Sequence, residues 1–137
     1  MIATDSQIIK MYSEEKYPLQ QETYQIIGIC MEVHRILGKG LLEIVYKDAI
    51  ELESKNKHIP YSREKEYTVE YKGTILPHYF YADFICFDTV ILEVKAQKGI
   101  VEEHYSRTLN YLAISKCPVG LIVNFGEDSL ITKRVVL

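Results

Sequence analysis

Apolar residues recur at helical spacing from Tyr24 to Leu37: Tyr24, Ile27, Met31 and Ile36 form one line, with Ile26, Cys30, Val33 and Leu37 beside it. That width predicts a helix with a broad buried face. Gly38-Lys39-Gly40 ends it. A second helix is expected from about Leu41 to Lys55, with Leu42, Val45, Tyr46, Ala49, Ile50 and Leu52 apolar. The segment Asn56 to Pro60 breaks it, because proline cannot continue a helix. From Glu64 to Tyr71 the period changes to two, Tyr67, Val69 and Tyr71 against Glu66, Thr68 and Glu70, which predicts a half-exposed strand closed by a turn at Lys72-Gly73. Two short apolar runs then flank Phe87, Asp88 and Thr89 and read as a hairpin. Gly99 precedes a third helix, Ile100 to Ser115, with Val101, Tyr105, Leu109 and Leu112 on its apolar side and a polar stripe of His104, Arg107 and Tyr111. Val119 to Phe125 reads as a buried strand, and Leu130 to Leu137 as a last one after a turn at Gly126-Glu127-Asp128.

The order is therefore two helices, three strands, a helix and two strands. The passage from Val90 to Phe125 is strand, helix, strand, which calls for a right-handed crossover with the helix on one face of a mixed sheet. The N-terminal helices are left to cover the remainder. The fold class is α/β, a sandwich of three layers or slightly fewer.

Composition bounds this picture without changing it. A chain of 137 residues, 47% hydrophobic and 26% charged, is expected to form one globular domain, with residues 1–20 as a polar leader and a core over about 24–136. A net charge of -3 argues against broad polyanion binding, though a local basic patch or a bound metal can still carry phosphate contacts. Cys30, Cys86 and Cys117 are isolated among apolar neighbours, as small core residues of a reducing compartment would be. The N-terminal residues lack a basic region followed by an apolar one, and no apolar run is long enough to span a membrane, so the expected location is cytoplasmic.

The chemistry concentrates in Tyr81 to Gln97, YADFICFDTVILEVKAQ. Asp83 lies among Phe80, Ala82, Phe84 and Ile85, while Glu93 and Lys95 interrupt Val90, Ile91, Leu92, Val94 and Ala96, so both acids belong to largely buried segments. A buried carboxylate is costly unless paired or bound to a metal. A three-residue loop would pair Cys86 with Val90, set Asp83 opposite Glu93 and set Tyr81 opposite Lys95. Opposed like charges on neighbouring strands repel. A cation such as Mg²⁺ between the carboxylates would turn that penalty into a site, and Lys95, on the same face as Glu93 and Gln97, would steady charge developing on a phosphate. The competing account is a solvated Glu93–Lys95 surface pair, against which the unbroken apolar flank argues.

Further residues resemble a known family. Gly40-Leu-Leu-Glu43-Ile-Val-Tyr46 matches the G-x-x-E-x-x-Y signature of the GxxExxY family, and His34-Arg-Ile-Leu-Gly38, Tyr71-Lys-Gly73, Ala82-Asp83, Glu93-Val-Lys95-Ala96, Asn110-Tyr-Leu112 and Asn124-Phe-Gly126 are similar to it in order, over roughly residues 24–136. That family is placed in the PD-(D/E)XK nuclease superfamily, whose restriction-endonuclease-like αβββαβ core agrees with the order above. The resemblance implies Asp83 and Glu93 as metal ligands, Lys95 as the catalytic lysine and Glu43 as an additional acid and ligand. From the residues alone, Glu43 reads first as a surface acid favoured by a helix N-terminus, and His34 as a capping or core residue rather than a substrate contact. The superfamily branch with Q-x-x-x-Y on the following helix has Gln where this chain has Arg107, while Tyr111 is kept. Arg107 is suited to hold a phosphate, or else is a solvated residue.

The function expected is a nuclease dependent on Mg²⁺ or Mn²⁺ that hydrolyses phosphodiester bonds in nucleic acid, DNA ahead of RNA, with Asp83, Glu93, Glu43 and Lys95 catalytic and Arg107, Tyr111, Gln97 and His34 toward the substrate. A homodimer is left open. The alternatives are an inactive nucleic-acid- or protein-binding module on the same fold and a partner in a toxin–antitoxin or defence system.

Overall fold

The computed structural model describes residues 19–137, so the expected leader lies, but for its last two residues, outside the described residues. Helices α1 (Gln20–Leu37) and α2 (Glu43–Asn56) come first. Strands β1 (Tyr61–Tyr67), β2 (Glu70–Tyr71), β3 (Thr74–Ile75), β4 (Phe80–Cys86) and β5 (Val90–Lys95) follow, and helix α3 (Glu102–Ser115) precedes β6 (Val119–Asn124) and β7 (Ile131–Val135). Strands β1, β4, β5, β6 and β7 form a mixed sheet in that order. The β5 and β6 strands run parallel, joined by α3, and the other neighbours are antiparallel.

The expected strand over Glu64 to Tyr71 is two pieces. The first extends back to Tyr61, which pairs with Cys86, and the second forms a separate hairpin with β3 about Lys72 and Gly73, both at positive φ. Consecutive positive φ values suit the right-handed twist of a tight hairpin.

Two cores sandwich the sheet. On one face Ile26, Cys30 and Val33 of α1 and Tyr46 and Ile50 of α2 pack on Phe84, Val90, Leu92, Val94, Leu121 and Val123. On the other, Tyr111 and Leu112 of α3 pack on Ala82, Ile85, Ile91 and Ile122. Helix α3 lies so close to β6 that a Cβ on Gly120 would stand 2.6 Å from Thr108 Cγ2. Its buried side is Thr108, Tyr111 and Leu112, so the stripe expected to be polar in fact turns toward the sheet at Tyr111. A tyrosine tolerates that burial because its hydroxyl finds partners.

Tyr46 organises the turn between α1 and α2. It is fully buried, its ring stacks on Phe125 at 4.6 Å, and its hydroxyl donates to the Gly38 carbonyl at 2.6 Å while accepting from the Leu41 amide at 3.2 Å. Gly38 caps α1 at φ 67°, where glycine carries no Cβ penalty. The last residue of the G-x-x-E-x-x-Y pattern thus holds the entry to α2, which carries Glu43 at its start. Tyr46→Phe should lower stability by about 1–3 kcal/mol through the unpaired Leu41 and Gly38 groups. Denaturant unfolding reads this as a lower midpoint at unchanged slope, and an unchanged midpoint would show that the turn is held by other contacts.

Candidate active site

The hairpin between β4 and β5 pairs Cys86 with Val90, Ile85 with Ile91 and Phe84 with Leu92, and there the ladder ends. Where Asp83 and Glu93 would come next, side chains take over the backbone bonds. The Asp83 amide donates to Glu93 Oε1 at 3.2 Å, and the Val94 amide donates to Asp83 Oδ2 at 2.8 Å. Each acid thereby fixes the strand that carries the other. Tyr81 does not pair with Lys95, as the hairpin register alone implies; on their other edges Tyr81 pairs with Glu66 on β1 and Lys95 with Asn124 on β6. The reason is this substitution: once carboxylates fill the ladder positions, β4 and β5 no longer continue as a simple antiparallel pair.

The alternation of β4 also slips at this point. Ala82 and Ile85, three residues apart, share the α3-side core, whereas Phe84 and Cys86 face α1 and α2. Across on β1, Arg63 pairs with Phe84 and Lys65 with Ala82, leaving Glu64 and Asp83 unpaired between them, and Glu64 has φ 53°. A local irregularity of this kind re-aims a side chain, here the Asp83 carboxylate.

Both acids are buried, Asp83 8% and Glu93 3% exposed. Burial, and then the neighbouring Asp83 charge, push the Glu93 carboxyl up to about 8, against the downward pull of Lys95 and of the hydrogen bond from the Asp83 backbone. Glu43 at the start of α2 is also raised, by its own partial burial first; Lys95 opposes this and Asp83 adds to it. Glu43 is therefore within reach of the site's charges. Among the described residues, however, no three His, Cys, Asp or Glu side chains are drawn together closely enough to hold a metal, so the expected set of Asp83, Glu93 and Glu43 is a close pair with a third acid nearby.

Lys47, four residues after Glu43 and on the same face of α2, escaped the sequence reading. Its ammonium lies 2.8 Å from Asp83 Oδ1 and 2.7 Å from Glu64 Oε1, with the side chain only 10% exposed. Burial alone would pull this ammonium down, but the bonds to Asp83 and Glu64 outweigh it and hold the group above its ordinary value. Helix α2 is secured at this distance by Arg63, which reaches Asp48 at 2.7 Å and Glu51 at 3.4 Å.

Helix α3 supplies the other wall. Tyr111 donates to the Tyr81 carbonyl at 2.9 Å, on the stretch of β4 that β5 no longer pairs, and accepts from Arg107 Nε at 3.1 Å. That bond raises the Arg107 guanidinium against the downward pull of burial, with Glu93 and Asp83 adding smaller upward pulls. His104 is lowered, by burial first and then by Lys95, and its Nδ1 accepts from the Val101 amide.

Gln97 and His34 stand differently. Gln97 lies beyond the end of β5 with an exposed side chain, and its backbone is clamped by Asn124, whose Oδ1 accepts from Gln97 N at 3.1 Å and whose Nδ2 donates to Gln97 O at 2.7 Å. A Cβ on Gly126 would overlap that backbone. His34 lies by the turn after β6: its ring bonds the Glu127 carbonyl at 2.9 Å and tilts against Phe125. Asn124 is marked in sequence by the Asn124-Phe-Gly126 resemblance and by its place at a strand end, with no role attached to it.

The carboxylate pair suits a hard cation in donor chemistry: two oxygen acids, each restrained by a backbone bond, whose mutual repulsion a cation would relieve. A mixed five-stranded sheet with an acid on one central strand and E-x-K on the next, covered by a helix bearing a further acid, is the architecture of a restriction-endonuclease-like nuclease domain. Residues 20–135 match the family model described as the PD-(D/E)XK nuclease superfamily, and the chain belongs to that superfamily. No curated protein matches the chain. Among solved structures, a crystal structure of SSO0001 is similar at 17% identity and a TM-score of 0.55, over 69% of this chain. The match spans 50% of that longer chain, and the likeness speaks to the fold. No helix among the described residues is long and apolar enough to cross a membrane.

The raised Glu93 carboxyl has a signed consequence. Between its ordinary pKa of 4.5 and about 8, the folded protein keeps a proton that the unfolded chain has lost. Metal-free stability should therefore fall as pH rises through that window, by at most about 1.4 kcal/mol per pH unit, and Glu93→Gln should flatten the fall. Melts in a chelator across this range check it, and wild-type stability that rises toward pH 8 would contradict it.

Proposed function

We propose that this chain is a divalent-metal-dependent nuclease of the GxxExxY type, acting on DNA in preference to RNA. The observation that carries the proposal is the buried Asp83–Glu93 pair, bound reciprocally through backbone amides, with Lys95 two residues beyond Glu93. Superfamily membership supports nuclease chemistry and the customary use of divalent ions, and Gly40, Glu43 and Tyr46 support the narrower family. In this reading Asp83 and Glu93 would hold Mg²⁺ or Mn²⁺, with Glu43 at the start of α2 as the further acid that their charges reach. When bound, the ion supplies Lewis-acid activation of the phosphodiester and of water.

The chain's own groups do the remainder. Lys95 directs its ammonium at charge developing on the phosphate. Arg107, steadied by Tyr111 at 3.1 Å, offers a guanidinium to a backbone phosphate in the place where the related branch carries glutamine. The net charge of -3 makes such local cations the source of phosphate affinity. The three free cysteines are buried, in keeping with a reducing, cytoplasmic setting.

Three variants separate the roles. Lys95→Ala should keep metal affinity and lower the single-turnover cleavage rate by about 10²–10³. Glu93→Ala should lose metal and cleavage together. Arg107→Ala should weaken substrate binding with a shallower salt dependence, since one phosphate contact is gone. Cleavage assays on single-stranded, duplex and branched substrates with Mg²⁺ and Mn²⁺ check this; a Lys95→Ala protein as fast as wild type would remove the catalytic assignment. Nucleic acid bound but never cut by wild type would favour the binding-module alternative.

A further inference from the structure

We propose that Lys47 is a resident cation of this site: its ammonium holds Asp83 in the free protein and is displaced onto Glu64 when Asp83 and Glu93 take up a divalent ion. The inference rests on the metal-binding function proposed above and adds the exchange that precedes it. Three carboxylates lie in a row across adjacent strands, Glu64 on β1, Asp83 on β4 and Glu93 on β5. The first gap is filled by Lys47, 2.7 Å from Glu64 Oε1 and 2.8 Å from Asp83 Oδ1. The second is spanned by the bonds from the Asp83 and Val94 amides to the two carboxylates.

Asp83 thus belongs to two pairs that compete for positive charge. An ammonium and a divalent ion on one carboxylate repel each other, so uptake of the ion is opposed while Lys47 keeps its bond to Asp83. Glu64 gives the ammonium somewhere to go. Its side chain is 47% exposed, toward water, whereas that of Asp83 is 12% exposed. The lysine stem stays with α2, which Arg63 ties to β1 through Asp48 and Glu51, so only the head group needs to turn. Glu64 faces Lys47 from a backbone at φ 53°, at the place in β1 where its pairing with β4 is interrupted.

Mn²⁺ titration calorimetry on the full chain tests this, using wild type, Lys47→Met, Glu64→Gln and the double variant, with Asp83→Asn as the control that removes the site. Lys47→Met should bind Mn²⁺ at least about tenfold more tightly than wild type, and should melt lower than wild type without metal. Glu64→Gln should weaken Mn²⁺ binding when Lys47 is present and change it little when Lys47 is Met, because Glu64 acts through the lysine. Unchanged or weaker binding by Lys47→Met would overturn the exchange while leaving the metal site standing. A Glu64→Gln effect of equal size in both backgrounds would do the same. Absence of Asp83-dependent Mn²⁺ binding in every variant would overturn the metal site and the exchange together. If Lys47→Met does not fold, the wild-type protein labelled with ¹³C at lysine Cε decides: the Lys47 signal should shift as Mg²⁺ saturates the site, and a signal that stays in place overturns the proposal.

Discussion

Putting two carboxylates side by side in the interior of a small sheet is the constraint on which the rest of this structure turns. Asp83 and Glu93 are each less than a tenth exposed, and like charges so placed are tolerated only if a proton neutralises one or other groups bind them. The protein answers in two ways. Each acid accepts an amide from the opposite strand, replacing the next rungs of the β4–β5 ladder, and Lys47 brings an ammonium to Asp83 from the helix layer above. The end of the ladder, the slip in alternation at Asp83 and the left-handed backbone of Glu64 all fall at this same point of the sheet.

The surrounding elements hold those few groups in register. Tyr46 closes the turn into α2 and so sets where Glu43 and Lys47 project. Tyr111 grips the Tyr81 carbonyl on the β4 stretch that β5 leaves, and presents Arg107 beside the acids. Asn124 fixes the chain where it departs from β5, past Lys95. Two helix layers and one strand end thus converge on a single point of the sheet, with charges of both signs about it.

Much of this was legible in the residues. The uninterrupted apolar run through Val90, Leu92 and Val94 marked a strand buried on both faces, and β5 is the middle strand of the sheet. The spacing around Phe87 to Thr89 led to the pairing of Cys86 with Val90, and so to the meeting of the two acids. What periodicity could not convey depends on contacts distant in sequence. Lys47 reads as an ordinary polar position of α2 until β1 and β4 bring Glu64 and Asp83 to it, although its spacing of four from Glu43 was a usable hint. Tyr111 reads as part of a polar stripe turned toward the substrate because its hydroxyl partner, the Tyr81 carbonyl, lies thirty residues away. Gln97 matched the strand face by counting, but the strand stops at Lys95, where the Asn124 side chain captures the following backbone.

The central claim is that Asp83 and Glu93 form a divalent-cation site at the point where the β4–β5 ladder ends. Anomalous diffraction from crystals grown with Mn²⁺ tests it most directly. The account expects an anomalous peak between the Asp83 and Glu93 carboxylates, at about 2.0–2.2 Å from the ligating oxygens, as expected for a small hard cation. A peak elsewhere, or none there at saturating Mn²⁺ with Lys47 still bonded to Asp83, would contradict it.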